Sequence, residues 1–183
     1  MSVIQYDSFD DEAPPACPKY RFAFIGQSMS GKSHFATRTQ RAYHDLYGEE
    51  ALSVHLNMND MVGCETKDIK TVRKFIHEKD ETLLIPQFEA QLDKLNDYDL
   101  ILIEDARYKS EVQLLKEKGF TLVYLKTPWY TRLKRLQEKG TMDDIRWFTD
   151  SCELDLETVP DDLFDYCVRH GEEDGVIEKI LTI

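Results

Sequence analysis

The residues best suited to chemistry lie in one contiguous stretch, Gly26-Gln27-Ser28-Met29-Ser30-Gly31-Lys32-Ser33, followed by His34. The stretch fits G-x-x-x-x-G-K-[ST], the spacing of a phosphate-binding loop. Gly26 and Gly31 permit a backbone geometry and a close approach that a Cβ would obstruct. Loop amides and the N-terminus of a following helix present N–H groups and a positive dipole end to phosphate oxygens. Lys32 has the reach to meet the β- and γ-phosphates of a triphosphate, and the Ser33 hydroxyl is a ligand type suited to Mg2+. A Ser/Gly-rich turn could match the pattern by chance. The apolar run before the stretch and the helical pattern after it argue against that. Residues 26–34 are therefore expected to cradle ATP.

A second candidate is Glu104-Asp105, two carboxylates closing the apolar run Asp99-Leu-Ile-Leu-Ile. An acid at a strand end beside a phosphate loop can hold Mg2+, often through water. The bland alternative is a solvent-facing pair or a helix cap. Which of the two would serve the metal stays open, because neighbours on a strand point to opposite faces.

Phosphoryl transfer needs positive charge around a migrating group whose own charge is spread over three oxygens. The chain has 23 Lys and Arg against 35 Asp and Glu, a net charge of −12, so its cations must be concentrated locally. Arg132, Lys134 and Arg135 lie close in sequence, and Arg132 and Arg135, three apart, share a helix face. They read either as a solvated face pairing with Glu138 or, given the loop upstream, as lid residues. Arg73 and Arg146 are weaker candidates for an acceptor phosphate.

Strands alternating with helices must position these groups. Strand patterns cover residues 21–25, 52–56, 99–105, 121–125 and 164–168. Helical patterns run from Gly31 to near Gly48 and over 68–77, 86–95, 110–118, 128–139, 143–148 and 171–181. Thr82 to Ile85 is too short to assign to strand or helix end. The unbroken hydrophobicity of Leu100 to Ile103 suits a parallel strand covered on both faces. The expectation is an α/β sheet of about five mostly parallel strands. Residues 1–19, acidic and carrying Pro14, Pro15 and Pro18, read as a flexible tail.

Composition excludes several classes. The chain of 183 residues holds nine Phe, nine Tyr and two Trp, enough apolar surface for one folded domain. No apolar run approaches the roughly 18 residues of a membrane span, and the first residues lack a signal-peptide pattern. A cytoplasmic protein is expected, with nucleic acid disfavoured by charge. Cys17, Cys64, Cys152 and Cys167 show no metal spacing and read as free packing residues. The five histidines form no metal pattern. Tyr43, Phe88, Trp129 and Tyr130 could stack on a base, but helical spacing favours core.

Asp105-Ala106-Arg107-Tyr108 resembles the D-[VA]-R-[FY] signature of phage-type deoxynucleoside monophosphate kinases. The run-up from Pro86 to Leu95 and the exit from Glu111 to Gly119 are similar to that family as well. The segment from Leu125 to Leu136 resembles the strand-to-lid-helix stretch of P-loop nucleoside monophosphate and dephospho-coenzyme A kinases. The chain departs in carrying Ser33-His34 where those phage enzymes tend to carry Asp-Thr, and it is short for the group. The resemblance implies a three-layer P-loop kinase fold over residues 20–183, with sheet order 2-3-1-4-5. It also implies a helical substrate-binding insertion at 57–96 and a lid at 128–155. Carried over, Arg107 would meet the acceptor phosphate, and Asp105 would position substrate or metal. Arg132 and Arg135 would close over the transferring group.

These readings converge on an ATP- and Mg2+-dependent phosphoryl transfer to a (deoxy)nucleoside monophosphate. The catalytic set would be Lys32, Asp105, Arg107, Arg132 and Arg135, with Ser33 and Glu104 or Asp105 at the metal. The expected partners are small nucleotides, with a homodimer admitted. The rival readings are a kinase for another acceptor, such as a modified DNA base, a regulatory NTPase, and a binding module that kept the loop.

Overall fold

A computed structural model describes residues 19–62, 68–141, 144–145, 148 and 156–182. The tail before residue 19, Arg146, Cys17, Cys64, Cys152 and most of the 143–148 helical stretch lie outside the described residues.

Strand β1 (Tyr20–Ile25) shows how the sequence builds the domain. Side chains alternate across a strand, so Phe22 and Phe24 enter one core while Ala23 and Ile25 enter the other. The same segregation holds in β3 (Leu100–Glu104), where Ile101 and Ile103 face one way and Leu100 and Leu102 the other. In β4 (Thr121–Lys126), Leu122 and Tyr124 oppose Val123 and Leu125. Central strands with apolar residues on both faces require a layer of helix on each side.

Those layers are present. Helix α1 (Lys32–Tyr47) buries Phe35, Ala36, Thr39 and Tyr43 on one stripe and covers the Phe22/Phe24 face. The last helix, α6 (Glu173–Leu181), adds Ile177, Ile180 and Leu181 to that face. The opposite face is covered by Phe88 and Leu92 of α3 (Ile85–Leu92) and by Val112 and Leu115 of α4 (Lys109–Glu117).

With the edge strands β2 (Ser53–Asn57) and β5 (Tyr166–Arg169), the sheet has the order β2-β3-β1-β4-β5. Every neighbouring pair is parallel, where the sequence suggested only mostly parallel strands. This is the three-layer α/β architecture expected from the sequence. In register, Phe24 of β1 pairs with Glu104 of β3. The loop after β1 and the carboxylates after β3 therefore leave the sheet side by side, where chain direction diverges and ligands of open α/β sheets bind.

Between β2 and β3 the chain makes a 3-10 turn (Met58–Val62), helix α2 (Ile69–Lys79), helix α3 and a 3-10 turn (Asp93–Leu95). Residues 81–84 are turn rather than strand. The Asp80 carboxylate accepts Thr82 N at 2.9 Å and Thr82 Oγ1 at 2.7 Å, which breaks the chain before α3 starts with Pro86 in its first turn. Helix α5 (Trp129–Lys139) follows β4. Among the described residues no helix is long and apolar enough to cross a membrane.

Two packing expectations are corrected. Tyr43 and Phe88 are core, but Trp129 and Tyr130 at the start of α5 are 57% and 72% exposed. Cys167 sits exposed on edge strand β5 rather than packed.

Candidate active site

The loop between β1 and α1 is shaped by its glycines. A Cβ on Gly26 would stand 2.7 Å from Ser30 Oγ and 3.0 Å from Leu125 O, too close for any other residue. Gly31 adopts φ +101° as the residue capping α1, which L side chains resist. From this turn, Lys32 Nζ bends back to donate to Gly26 O (2.8 Å) and Gln27 O (3.2 Å), and it lies 3.7 Å from Asp105 Oδ1.

The two carboxylates at the end of β3 take different stations. Glu104, still in the strand, accepts a 2.7 Å hydrogen bond from Ser33 Oγ, and His55 Nε2 stands 3.6 Å from its other oxygen. Asp105 leaves the strand with φ +67°, a left-handed value that swings its side chain out of the strand's alternation. Both carboxylates can therefore line one cavity. Arg107 Nε donates to Asp105 Oδ2 at 3.0 Å, Arg107 Nη2 pairs with Oδ1 at 3.0 Å, and Asn59 Nδ2 donates to Oδ2 at 2.9 Å. Burial pushes the Asp105 carboxyl up, but Arg107, Lys32 and Arg73 together outweigh it and hold it well below the usual carboxylate range. Glu104 is also lowered: burial raises it, and His55, Ser33 and Lys32 more than offset that.

The arginines of α5 already touch the loop. Arg132 Nη1 donates to Ser28 O (3.2 Å), and Arg135 Nη1 donates to Met29 O (3.0 Å) and Ser30 O (2.9 Å). Arg132 is 4% exposed, packs against the Phe148 ring and lines neither described cavity. Arg135 lines both cavities beside the loop.

A cavity of about 640 Å³ joins these groups. Gly31, Lys32, Ser33 and His34 form one side, Glu104, Asp105 and Arg107 the floor, and Arg135, Glu138, Lys139 and Asp144 the α5 side. Five Lys and Arg side chains stand among four acidic ones, so this cavity carries local positive charge in a protein of net charge −12. A second cavity, about 220 Å³, lies beyond the loop between α1 and the β5–α6 turn and includes Arg38, Thr127 and His170.

Arg73 does not stand where the sequence suggested. It is 1% exposed and lines neither cavity. Its Nε donates to Glu111 Oε1 (2.8 Å), a second ion-pair contact joins Nη2 to Glu111 Oε2, and Nη1 reaches Asn59 Oδ1 (3.0 Å). Its guanidinium is occupied by protein, not presented to an acceptor.

Sequence reasoning missed Lys70, Lys139, Asn57 and Asn59. Lys70 precedes Arg73 by three residues and so shares its helix face, and it is Lys70 that reaches the cavity. Among the described residues no group of three or more His, Cys, Asp or Glu side chains gathers for a metal. The Ser33 hydroxyl beside the Glu104 carboxylate is nonetheless a hard oxygen pair of the kind Mg2+ uses together with phosphate oxygens and water.

No protein-family model matches the chain, and no curated protein sequence matches it. Solved structures do. A gluconokinase from Sinorhizobium meliloti superimposes with a TM-score of 0.55 at 17% identity, covering 91% of each chain. A sugar kinase from Janibacter gives 0.57 at 19%, covering 90% of this chain and 94% of the other. The shikimate kinase of Aquifex aeolicus gives 0.51 at 16%, covering 88% and 94%. The fold is that of the P-loop kinases.

Proposed function

We propose that this chain transfers the terminal phosphoryl group of ATP to a (deoxy)nucleoside monophosphate. The observation that carries the reading is Arg107, held by two contacts to Asp105 on the floor of the same cavity that contains Lys32 and the loop. A guanidinium fixed at that place, with the loop opposite, suits two phosphate groups meeting end to end.

The loop amides and the N-terminus of α1 bind the triphosphate, and Lys32 exchanges its loop carbonyls for β- and γ-oxygens. The base lies in the smaller cavity, which opens off the loop at Gly31 and Arg135. Ser33 and Glu104 would hold Mg2+, which would supply positive charge against the negative charge of the phosphates. Arg107 binds the acceptor phosphate and aims one of its oxygens at the γ-phosphorus. That oxygen forms the new P–O bond as the bond to the β-phosphate oxygen breaks, and ADP leaves. Arg135 and Lys139 supply further charge around the moving group.

Asp105 accepts from Arg107 and Asn59 and is held well below the usual carboxylate range, so it stands as a fixed negative charge that orients Arg107. A monophosphate dianion brings an attacking oxygen that needs no base, which suits that arrangement.

The test is a panel of ribo- and deoxynucleoside monophosphates with ATP and Mg2+, following ADP and diphosphate products. Acceptor-dependent diphosphate formation supports the reading and names the acceptor. ADP release that no acceptor accelerates overturns it in favour of an NTPase.

A further inference from the structure

An ion pair buried beneath the site has no part in the steps above. Arg73 of α2 and Glu111 of α4 are 1% and 2% exposed. Two charges withdrawn from water seldom stabilise a fold more than apolar residues of similar size would. The pair's partners point to a different task. Besides Glu111, the Arg73 guanidinium donates from Nη1 to Asn59 Oδ1 at 3.0 Å and from Nη2 to the Asp105 backbone O at 3.0 Å. Asn59 passes the contact on, its Nδ2 reaching Asp105 Oδ2 at 2.9 Å. Glu111 closes the ring from the other side, accepting Arg107 N at 2.9 Å and Tyr108 N at 3.2 Å.

Every atom held this way belongs to the turn from Asp105 to Tyr108. That turn contains a non-glycine residue at φ +67°, a conformation that persists only when its surroundings over-determine it. Arg73 grips its first carbonyl, Asn59 its first carboxylate, and Glu111 the amides of its third and fourth residues. The rings of Phe88 and Tyr108, with centroids 5.9 and 5.6 Å from the guanidinium carbon, add cation–π contacts to Arg73.

We propose that Arg73, Asn59 and Glu111 are positioning residues that set the Asp105–Arg107 fork at the acceptor side of the cavity. The inference rests on the phosphotransferase reading for its catalytic consequence, but not for its structural content. A planar five-donor fork is required at Arg73, because a lysine could keep the charge pair with Glu111 while losing simultaneous contact with Asn59 and the Asp105 carbonyl.

The test uses the full chain with 15N-labelled arginine. Slowly exchanging Nε–H signals are followed for Arg107, assigned by Arg107→Lys, and for Arg132, which is buried on α5 away from the ring. In Arg73→Lys the Arg107 Nε–H is expected to exchange at least tenfold faster while Arg132 keeps its protection. With the acceptor found in the panel, KM for that acceptor should rise about tenfold while KM for ATP stays within twofold. Unchanged Arg107 protection overturns the proposal. Equal loss at Arg107 and Arg132 also overturns it, since the pair would then support the fold at large. If Arg73→Lys does not fold, Asn59→Leu, which cuts the link to Asp105 Oδ2 and the Arg73 Nη1 contact while leaving the Arg73–Glu111 pair, is read by the same two signals. Should the wild-type protein phosphorylate no monophosphate, the proposed reaction fails, and the exchange rates still decide the positioning role.

Discussion

Ser33 and Glu104 are 71 residues apart in sequence, yet the hydroxyl of one donates to the carboxylate of the other across 2.7 Å. The contact follows from register. Phe24 and Glu104 are paired across β1 and β3, so the helix that begins after the β1 loop sets its first turn against the end of β3. On the proposed function, this contact favours Glu104 over Asp105 as the acid for Mg2+.

Glu104→Gln keeps an acceptor for Ser33 Oγ but removes the negative charge. The Mg2+ concentration for half-maximal activity is expected to rise about tenfold or more, with little change in melting temperature. A titration of activity against Mg2+ reads it, and an unaltered Mg2+ dependence would remove Glu104 from the metal site.

Lys32→Ala should lower turnover by at least about a hundredfold, the scale seen on deleting one group that stabilises transition-state charge. The Lys32 ammonium bonds to the Gly26 and Gln27 carbonyls at a cavity wall, so the far-UV spectrum and melting curve should stay close to wild type. Single-turnover kinetics on the folded variant is the check.

Arg107 is both a ligand group and the partner of a buried carboxylate, which makes alanine a poor probe. Arg107→Lys retains charge while losing the two-pronged contact with Asp105. Loss of a hydrogen bond to a charged group costs about 1.5–3 kcal/mol, so the acceptor KM should rise roughly ten- to a hundredfold. Initial rates at varied ATP should give a KM for ATP within a factor of two of wild type.

The Asp105 carboxyl titrates lower in the folded chain than in the unfolded one. A depressed folded value contributes stability above the unfolded value of about 3.9, and that contribution is lost as pH falls below it toward the folded value. Asp105→Asn strips the counter-charge from Arg107 and Lys32 and should destabilise by about 3–5 kcal/mol near neutrality. Urea melts of both proteins should show this gap steady above about pH 5 and shrinking below about pH 4. A gap that persists undiminished at pH 3 would contradict the assigned charge state.

Contiguous features were the readable ones. The loop from Gly26 to Ser33 carries its meaning in local spacing, and strands β1 and β3 announce themselves through runs such as Phe22 to Ile25 and Leu100 to Ile103. The strand order came with the resemblance around Asp105 to Tyr108 rather than from any periodicity. Arg73 was misread because nothing near it in sequence reveals Glu111, a partner 38 residues on, and a buried arginine looks like an exposed one until its partner is known. Lys70, one turn earlier on the same helix, had the better claim to the cavity. Trp129 and Tyr130 show a similar limit: helical spacing says which residues share a face, and only packing says whether that face is covered.

The hydrogen bonds from Arg132 and Arg135 to three successive carbonyls tie α5 directly to the loop. Trp129 stands at the head of that helix, about half in solvent and beside Phe148. The chain thus carries an indole on the helix bonded to the loop after β1. On the proposed function, a change in its emission would offer a label-free optical reading of nucleotide arrival before any chemistry takes place.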